Sequence, residues 1–325
     1  MRRKTSGQQR YRLRNWHDYN AALVGRGSLT LWCDEAALAS WVERGRTQRR
    51  GRPRTYSTLA ITCMLTLKAV YHLPLRATEG LMRSVLKLLG VALPVADCST
   101  LSRRARTLEV KLPVRAVTAT SAPLHLVVDS TGLKVYGEGE WKVRQHGWSY
   151  YRTWRKVHVG LDVSSREVRV VGVTTADVSD GEMLPALLAA ERAPIAQVTG
   201  DGSYDEWRCW DAVAARPEHP RAVFRLRHGP ERHARIRQHG NCARPPLARD
   251  DHVRRIRRVG RAQWKVETDY HQRSLAEPTV GRFKGCFGAS LSARRDDTQA
   301  TEVFIRCRAL NIMTRLGMPE SERIG

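Results

Sequence analysis

Two short β-type runs restrict the fold more than any other feature: Leu124 to Val128 and Ile195 to Thr199, each stopping at or just before an aspartate. Asp129 stands in Val-Val-Asp-Ser-Thr-Gly and Asp201 in Val-Thr-Gly-Asp-Gly-Ser-Tyr-Asp. Runs this short fit buried strands better than helices. Carboxylates at the carboxyl ends of neighbouring strands can converge on one point above a sheet. Two acids so placed repel each other unless a divalent cation compensates them, and oxygen-only ligands favour Mg²⁺ or Mn²⁺ over zinc. Either aspartate taken alone is more often a turn or helix cap.

The segments around these runs predict an α/β chain. Trp154 to Val163 and Glu167 to Thr174 alternate with period two about Ser164-Ser165-Arg166, which reads as a hairpin. Gly181 to Arg192 and Tyr204 to Ala215 have helical patterns, and Ala222 to Leu226 reads as a strand. Strand, hairpin, helix, strand, helix, strand is the order of a ribonuclease H-like mixed sheet flanked by helices, although several α+β folds share it. Residues 228–262 read as an irregular, very basic surface insertion placed to meet nucleic acid, and helical patterns return near Glu267 and over Asp297 to Leu316. The catalytic region is therefore expected over 114–325.

Charge points to the partner. The chain has 56 Lys and Arg against 32 Asp and Glu, a formal charge of +24, with 42% hydrophobic residues. A folded protein with that excess is expected to bind a polyanion. Residues 1–56 carry 13 of the basic residues against four acids and read as a basic N-terminal arm. Its centre, Arg44 to Arg54, has six arginines and no acid, and Arg50-Gly51-Arg52-Pro53 resembles an AT-hook, whose arginines (Arg50, Arg52 and Arg54 here) would enter a narrow minor groove. A solvated linker is the plainer alternative.

Residues 57–113 read as a helical DNA-binding domain. Ser57 is placed to cap a helix to Tyr71, a second runs from Pro74 to Leu89 with Gly90 as its stop, and a short third helix over 97–106 presents Arg103, Arg104 and Arg106. Such a set is helix-turn-helix-like, with the last helix in the major groove. An amphipathic bundle with a charged face is the alternative. No run is long and apolar enough for a membrane span, and polar residues follow the basic start where a signal peptide would be apolar. Seven scattered cysteines without Cys-x-x-Cys fit a reducing cytoplasm.

A third acid comes from Tyr270, Arg273, Glu277 and Lys284. At 100° per residue they fall at about 0°, 300°, 340° and 320°, one narrow helical face. An aromatic, a guanidinium, a carboxylate and an ammonium together are too polar for a core stripe. They suit a face where Glu277 completes a metal site while Arg273 and Lys284 grip phosphates. Glu267 and Asp269 are rivals on spacing alone.

With these residues the chain resembles the bacterial insertion-sequence DDE transposases, in particular the insertion-sequence-five family. The likeness extends over Gly51 to Ser57, Ser99 to Arg104, Val128 to Trp141, Trp154 to His158, Gly200-Asp201-Gly202, Tyr270 to Glu277 and Arg306 to Pro319. It implies a ribonuclease H-like catalytic domain that binds the terminal inverted repeats of its own element and inserts the element into target DNA, working as a dimer or higher oligomer on paired ends in the bacterial cytoplasm, at the nucleoid. It further implies two Mg²⁺ ions, with Mn²⁺ able to substitute. One, held by Asp129 and Asp201, would activate water or a DNA 3′-hydroxyl. The other, held by Asp129 and Glu277, would stabilise the departing 3′ oxygen. Tyr270 would stack on or bond the backbone near the cut.

One residue departs from the pattern. Pro278 follows Glu277 directly, and a proline inside a helix costs about 3 kcal/mol or more. Either the helix kinks, or it restarts with Pro278 in its first turn and the shared face breaks at 277. A weakened copy that only binds DNA, which Pro278→Thr would restore, is therefore one alternative, and a ribonuclease H-fold nuclease is another. Trp264, beside the basic run, is a further candidate for stacking on unpaired bases, and His125 and His158 read as ordinary satisfied strand residues.

Overall fold

The structure is a computed structural model and describes residues 10–33, 35–43, 55–118, 122–135, 154–227, 236 and 248–324. The chain divides into two units, Met1–Leu101 with Ala309–Gly325, and Ser102–Arg308.

In the first unit, strand β1 (Arg10–Leu13) precedes α1 (Trp16–Gly25), α2 (Leu29–Trp32) and α3 (Glu35–Ala39). Within the segment read from sequence as an arm, buried Trp32, Cys33, Ala37 and Trp41 thus anchor short helices. The arginines 50, 52 and 54 lie outside the described residues. The two flanks of that run are tied together: Val42 bridges Tyr56 in antiparallel fashion and Glu43 N donates to Thr55 O at 3.0 Å.

Next comes α4 (Thr58–Val70), which Ser57 caps by accepting from Ala60 N at 3.0 Å, a bond worth about 1 kcal/mol. Four residues separate it from α5 (Leu75–Leu88), and the two axes turn by 112°. That angle over so short a turn is helix-turn-helix geometry. Gly90, at φ +67°, ends α5, as the sequence predicts. Helix α6 (Cys98–Ala105) starts on Asp97, which accepts from Thr100 N at 2.8 Å, while Glu79 of α5 takes the Cys98 N–H at 2.9 Å.

The second unit holds the sheet. Its elements are β2 (Leu124–Val135), β3 (Trp154–Asp162), β4 (Val168–Thr175), α7 (Asp180–Ala190), β5 (Ile195–Gly200), α8 (Trp207–Ala214), β6 (Arg221–Phe224), α9 (Ala248–Glu267), α10 (Ala276–Phe287), β7 (Ser290–Leu291) and α11 (Asp296–Leu316), the last running on into the first unit. The strand order is β4-β3-β2-β5-β6, with β7 beside β2. β2, β3 and β4 pair antiparallel, while β5 is parallel to both β2 and β6. This is a mixed sheet flanked by helices, the ribonuclease H-like α/β fold.

Period-two alternation splits the core. On β6, Ala222 and Phe224 face the α7/α8 layer with Leu126, Val128, Leu184 and Trp210. Val223 faces the other way, onto Val253, Ile256, Trp264 and Tyr270.

Two expectations change here. From 248 the basic stretch read as irregular is helix α9, because arginine is a good helix former and Val253, Ile256 and Trp264 supply a buried side. Gly260, at φ +80°, breaks it into two pieces. The second change concerns the helix expected through Tyr270 to Lys284. Asp269 adopts a left-handed φ of 52°, Tyr270–Leu275 form a 3-10 helix, and α10 starts afresh at Ala276. Pro278 therefore sits in a first turn, where backbone N–H groups have no intrahelical partner to lose. The penalty of an interior proline is not incurred; the restart is the second of the two expected cases, the one in which the shared face breaks at 277. A single helical face no longer links Tyr270 to Lys284. Glu277 and Lys284 still share one side of α10, two turns and about 10 Å apart.

Candidate active site

Strand register brings the two aspartates together. The parallel pairing of β2 with β5 ends at Val127↔Thr199, and Asp129 and Asp201 each lie two residues beyond that pair. Asp129 is not at a strand end as expected: β2 continues to Val135, paired with β3 at Asp129↔Val159. The antiparallel ladder thus holds the first acid on both sides of it in sequence. Asp201 follows the last residue of β5 and caps a 3-10 turn, accepting from Ser203 N at 2.8 Å. A Cβ on Gly200 would meet the Tyr204 ring at 2.6 Å, so this close turn needs glycine.

The third acid is delivered by the 3-10 segment. Gln197 Nε2 of β5 donates to Thr268 O at 2.9 Å, immediately before the left-handed Asp269, and His125 Nε2 pairs with Thr199 Oγ1 at 2.8 Å in the same network. Burial pushes the His125 pKa down, which keeps the ring neutral there. Sequence reasoning missed this anchor. Its one signal was Gln197 and Thr199, polar alternate positions in an otherwise apolar run.

Arg273 links all three acids. Its Nη1 donates to Glu277 Oε1 at 2.7 Å, and Nη2 lies 3.8 Å from Asp129 Oδ1 and 3.9 Å from Asp201 Oδ2. Its Nε is buried with no hydrogen-bond partner. The Asp129 side chain is 17% exposed and that of Glu277 65%, so the site runs from the sheet edge out to solvent. Burial raises the Asp129 pKa; the Ser130 N–H at 2.9 Å and Arg273 offset it in part, while Asp201 pushes in the same direction as burial.

The three carboxylates that surround the Arg273 guanidinium are an all-oxygen donor set, the type that suits a hard divalent ion. Among the described residues, no group of three acids, histidines or cysteines stands ready to hold a metal ion. The Arg273 guanidinium lies among Asp129, Asp201 and Glu277. In donor type and charge the residues fit the ion.

The other expected site residues are distributed more widely. Lys284 is half-buried in the last turn of α10. Tyr270 is buried, its ring 5.4 Å from that of Trp264, with Lys265 Nζ 5.7 Å from its centroid. It packs on its own chain and presents no open face for a base. Trp264 is 2% exposed and donates from Nε1 to His252 Nδ1 at 2.9 Å, so it too is core and not a stacking platform. Arg103 is exposed on α6, Arg104 is half-buried, and Arg106 pairs with Asp297 at 3.4 Å.

Two buried polar clusters lie beside the site: the first had no sequence signature, while His158 of the second was expected to be an ordinary satisfied strand residue and instead keeps a buried Nδ1 without a hydrogen bond. Asp205 accepts from Arg249 Nε at 2.8 Å, Arg227 N at 3.0 Å and Trp210 Nε1 at 3.1 Å, tying the loop after Asp201 to the start of α9. On β3, fully buried His158 pairs through Nε2 with Thr174 Oγ1 at 2.9 Å, while its Nδ1 lies 3.6 Å from Asp180. Burial pushes the His158 pKa down to about 4. An unfolded chain, with a histidine near 6.5, binds the extra proton first, so stability is full above about pH 6.5 and falls as pH drops toward 4. The expected loss at pH 5 is about 2 kcal/mol relative to pH 7. Urea melts at the two pH values should show it, and His158→Gln should remove most of the slope.

Residues 24–138 match one family model and residues 120–312 another, both described as a transposase DDE domain. The second match spans more than half of the chain and includes all three acids.

Proposed function

Because the chain belongs to the DDE transposases, we propose that it binds the terminal inverted repeats of an insertion sequence of the insertion-sequence-five type, cuts DNA strands at those ends and joins them to target DNA. The observation that carries this reading is the meeting of Asp129, Asp201 and Glu277 around one guanidinium at the sheet edge. Two Mg²⁺ ions, or Mn²⁺ in their place, would be held by Asp129 with Asp201 and by Asp129 with Glu277, and would supply Lewis-acid activation of the attacking hydroxyl and charge neutralisation at the leaving oxygen.

The chain's own residues do the positioning. Asp129 is the rigid member, held within the β2–β3 ladder. Glu277 is the most exposed of the three and closes the site from α10. Arg273 offers a planar fork suited to a phosphate, and Lys284 a point charge two turns along from Glu277. The α4–α5 pair and the basic residues of α6, with Arg103 and Arg104, serve end recognition, and the arginines at 50, 52 and 54 add sequence-tolerant minor-groove contacts. Two or more copies then act on paired ends.

The test uses the full chain, a duplex carrying the repeats that flank the reading frame, a plasmid target and Mg²⁺ or Mn²⁺. Joining of a labelled 3′-hydroxyl end to the plasmid is the expected product. Cutting without joining would favour a nuclease. Salt-sensitive binding without cutting would leave only a DNA-binding protein.

A further inference from the structure

The position of Arg273 carries a consequence for how the site is loaded. Of the three acids, only Glu277 is within hydrogen-bond distance of the guanidinium; Asp129 and Asp201 are held at ion-pair range by the same Nη2. With Nε buried and unbonded, the group sits where charge attraction puts it and not where its donors are saturated. The one hydrogen bond the guanidinium makes to these acids, from Nη1 to Glu277, leaves Nη2 at 3.8 and 3.9 Å from the aspartates and Nε without a partner. A divalent ion entering among the same three oxygens would meet a positive charge already there.

We propose that Arg273 is an internal stand-in cation: in the free protein its single positive charge offsets part of the charge of Asp129, Asp201 and Glu277, and it must release the aspartates before a divalent ion can bind between them. This rests on the reading of those acids as the metal-holding set. It goes beyond that reading by making metal loading and the release of Arg273 a single coupled event. The released guanidinium, with Nε and Nη2 both free to donate, is the natural receiver of a DNA phosphate. Metal and DNA therefore each favour the other's binding, and by reciprocity the factor is the same in both directions. The free protein is kept from holding ions tightly until a phosphate is present to take the arginine away.

The experiment is calorimetric titration of Mn²⁺ into the DNA-free full chain, comparing wild type with Arg273→Gln and Arg273→Lys, each checked for folding by its thermal melt in EDTA. Arg273→Gln should bind Mn²⁺ at least about tenfold more tightly than wild type. It should also melt at a lower temperature in EDTA and gain more from added Mn²⁺, because the acids lose their internal counter-charge. Arg273→Lys, whose compact ammonium cannot serve Glu277 and both aspartates together, should bind about threefold more tightly. It carries the test if the glutamine variant does not fold. Equal or weaker Mn²⁺ affinity in the folded variants would overturn the proposal. Glu277→Gln separates the two levels. If it weakens Mn²⁺ binding while the arginine variants change nothing, the stand-in role alone fails. If wild type, Arg273→Gln and Glu277→Gln all fail to bind Mn²⁺, the metal reading of the three acids fails with it.

Discussion

Asp201→Asn is expected to lower strand cleavage by about 10³-fold or more, a loss of about 4 kcal/mol of transition-state stabilisation, while leaving the fold and DNA affinity almost unchanged. The amide oxygen can still accept from Ser203 N, so the 3-10 turn after β5 should persist. What disappears is one negative charge among the three acids around Arg273. Asp129→Asn should behave alike, since its amide can keep the Ser130 N–H bond. Gel analysis of a labelled end duplex in Mg²⁺ and Mn²⁺, with circular dichroism as the folding control, measures both variants. A folded Asp201→Asn protein that still cuts would remove this aspartate from the catalytic set.

Asp205→Ala should cost about 3–5 kcal/mol of stability, the range for breaking a buried ion pair from one side. Asp205 is 1% exposed at its side chain and its partner Arg249 10%. The substitution removes the acceptor used by Trp210 Nε1, by the Arg227 backbone N–H and by Arg249 in a fork. Since Asp205 lies four residues beyond Asp201 and holds the loop between them against α9, cleavage should fall as well, by less than in Asp201→Asn. Urea unfolding midpoints test the first statement and the end-duplex assay the second. A shift under 1 kcal/mol would mean that the network is dispensable.

The local elements were legible wherever near-neighbour physics decides them. Ser57 as a cap, Gly90 as a stop, the Ser164–Arg166 turn, the strands at 124, 154, 168, 195 and 221 and the long apolar helix ending at Leu316 follow from side-chain periodicity and from residues with strong backbone preferences. The order of those elements is that of the mixed sheet, although several α+β folds share it. Less was legible where two roles use the same residues. An arginine-rich stretch suits a loop or a helix, and the buried side of α9 becomes visible only once β6 supplies Val223 as its partner. Tyr270 and Trp264 look like platforms for bases because aromatics beside arginines have that use, yet the sheet gives them each other.

By itself the sequence determined which residues carry charge to the site: two aspartates that each follow a short apolar run, and an Arg-Glu pair four residues apart whose contact survives the loss of a continuous helix, because 3-10 and α turns both bring such neighbours within reach. Only the tertiary structure decided that β2 and β5 stop pairing at one shared level, that Gln197 holds Thr268 so that the chain reverses at Asp269, and that Arg273 lands among three acids far apart in sequence. Contacts between residues about 70 positions apart depend on register and on the balance of buried polar groups across a whole sheet, and no local pattern encodes those.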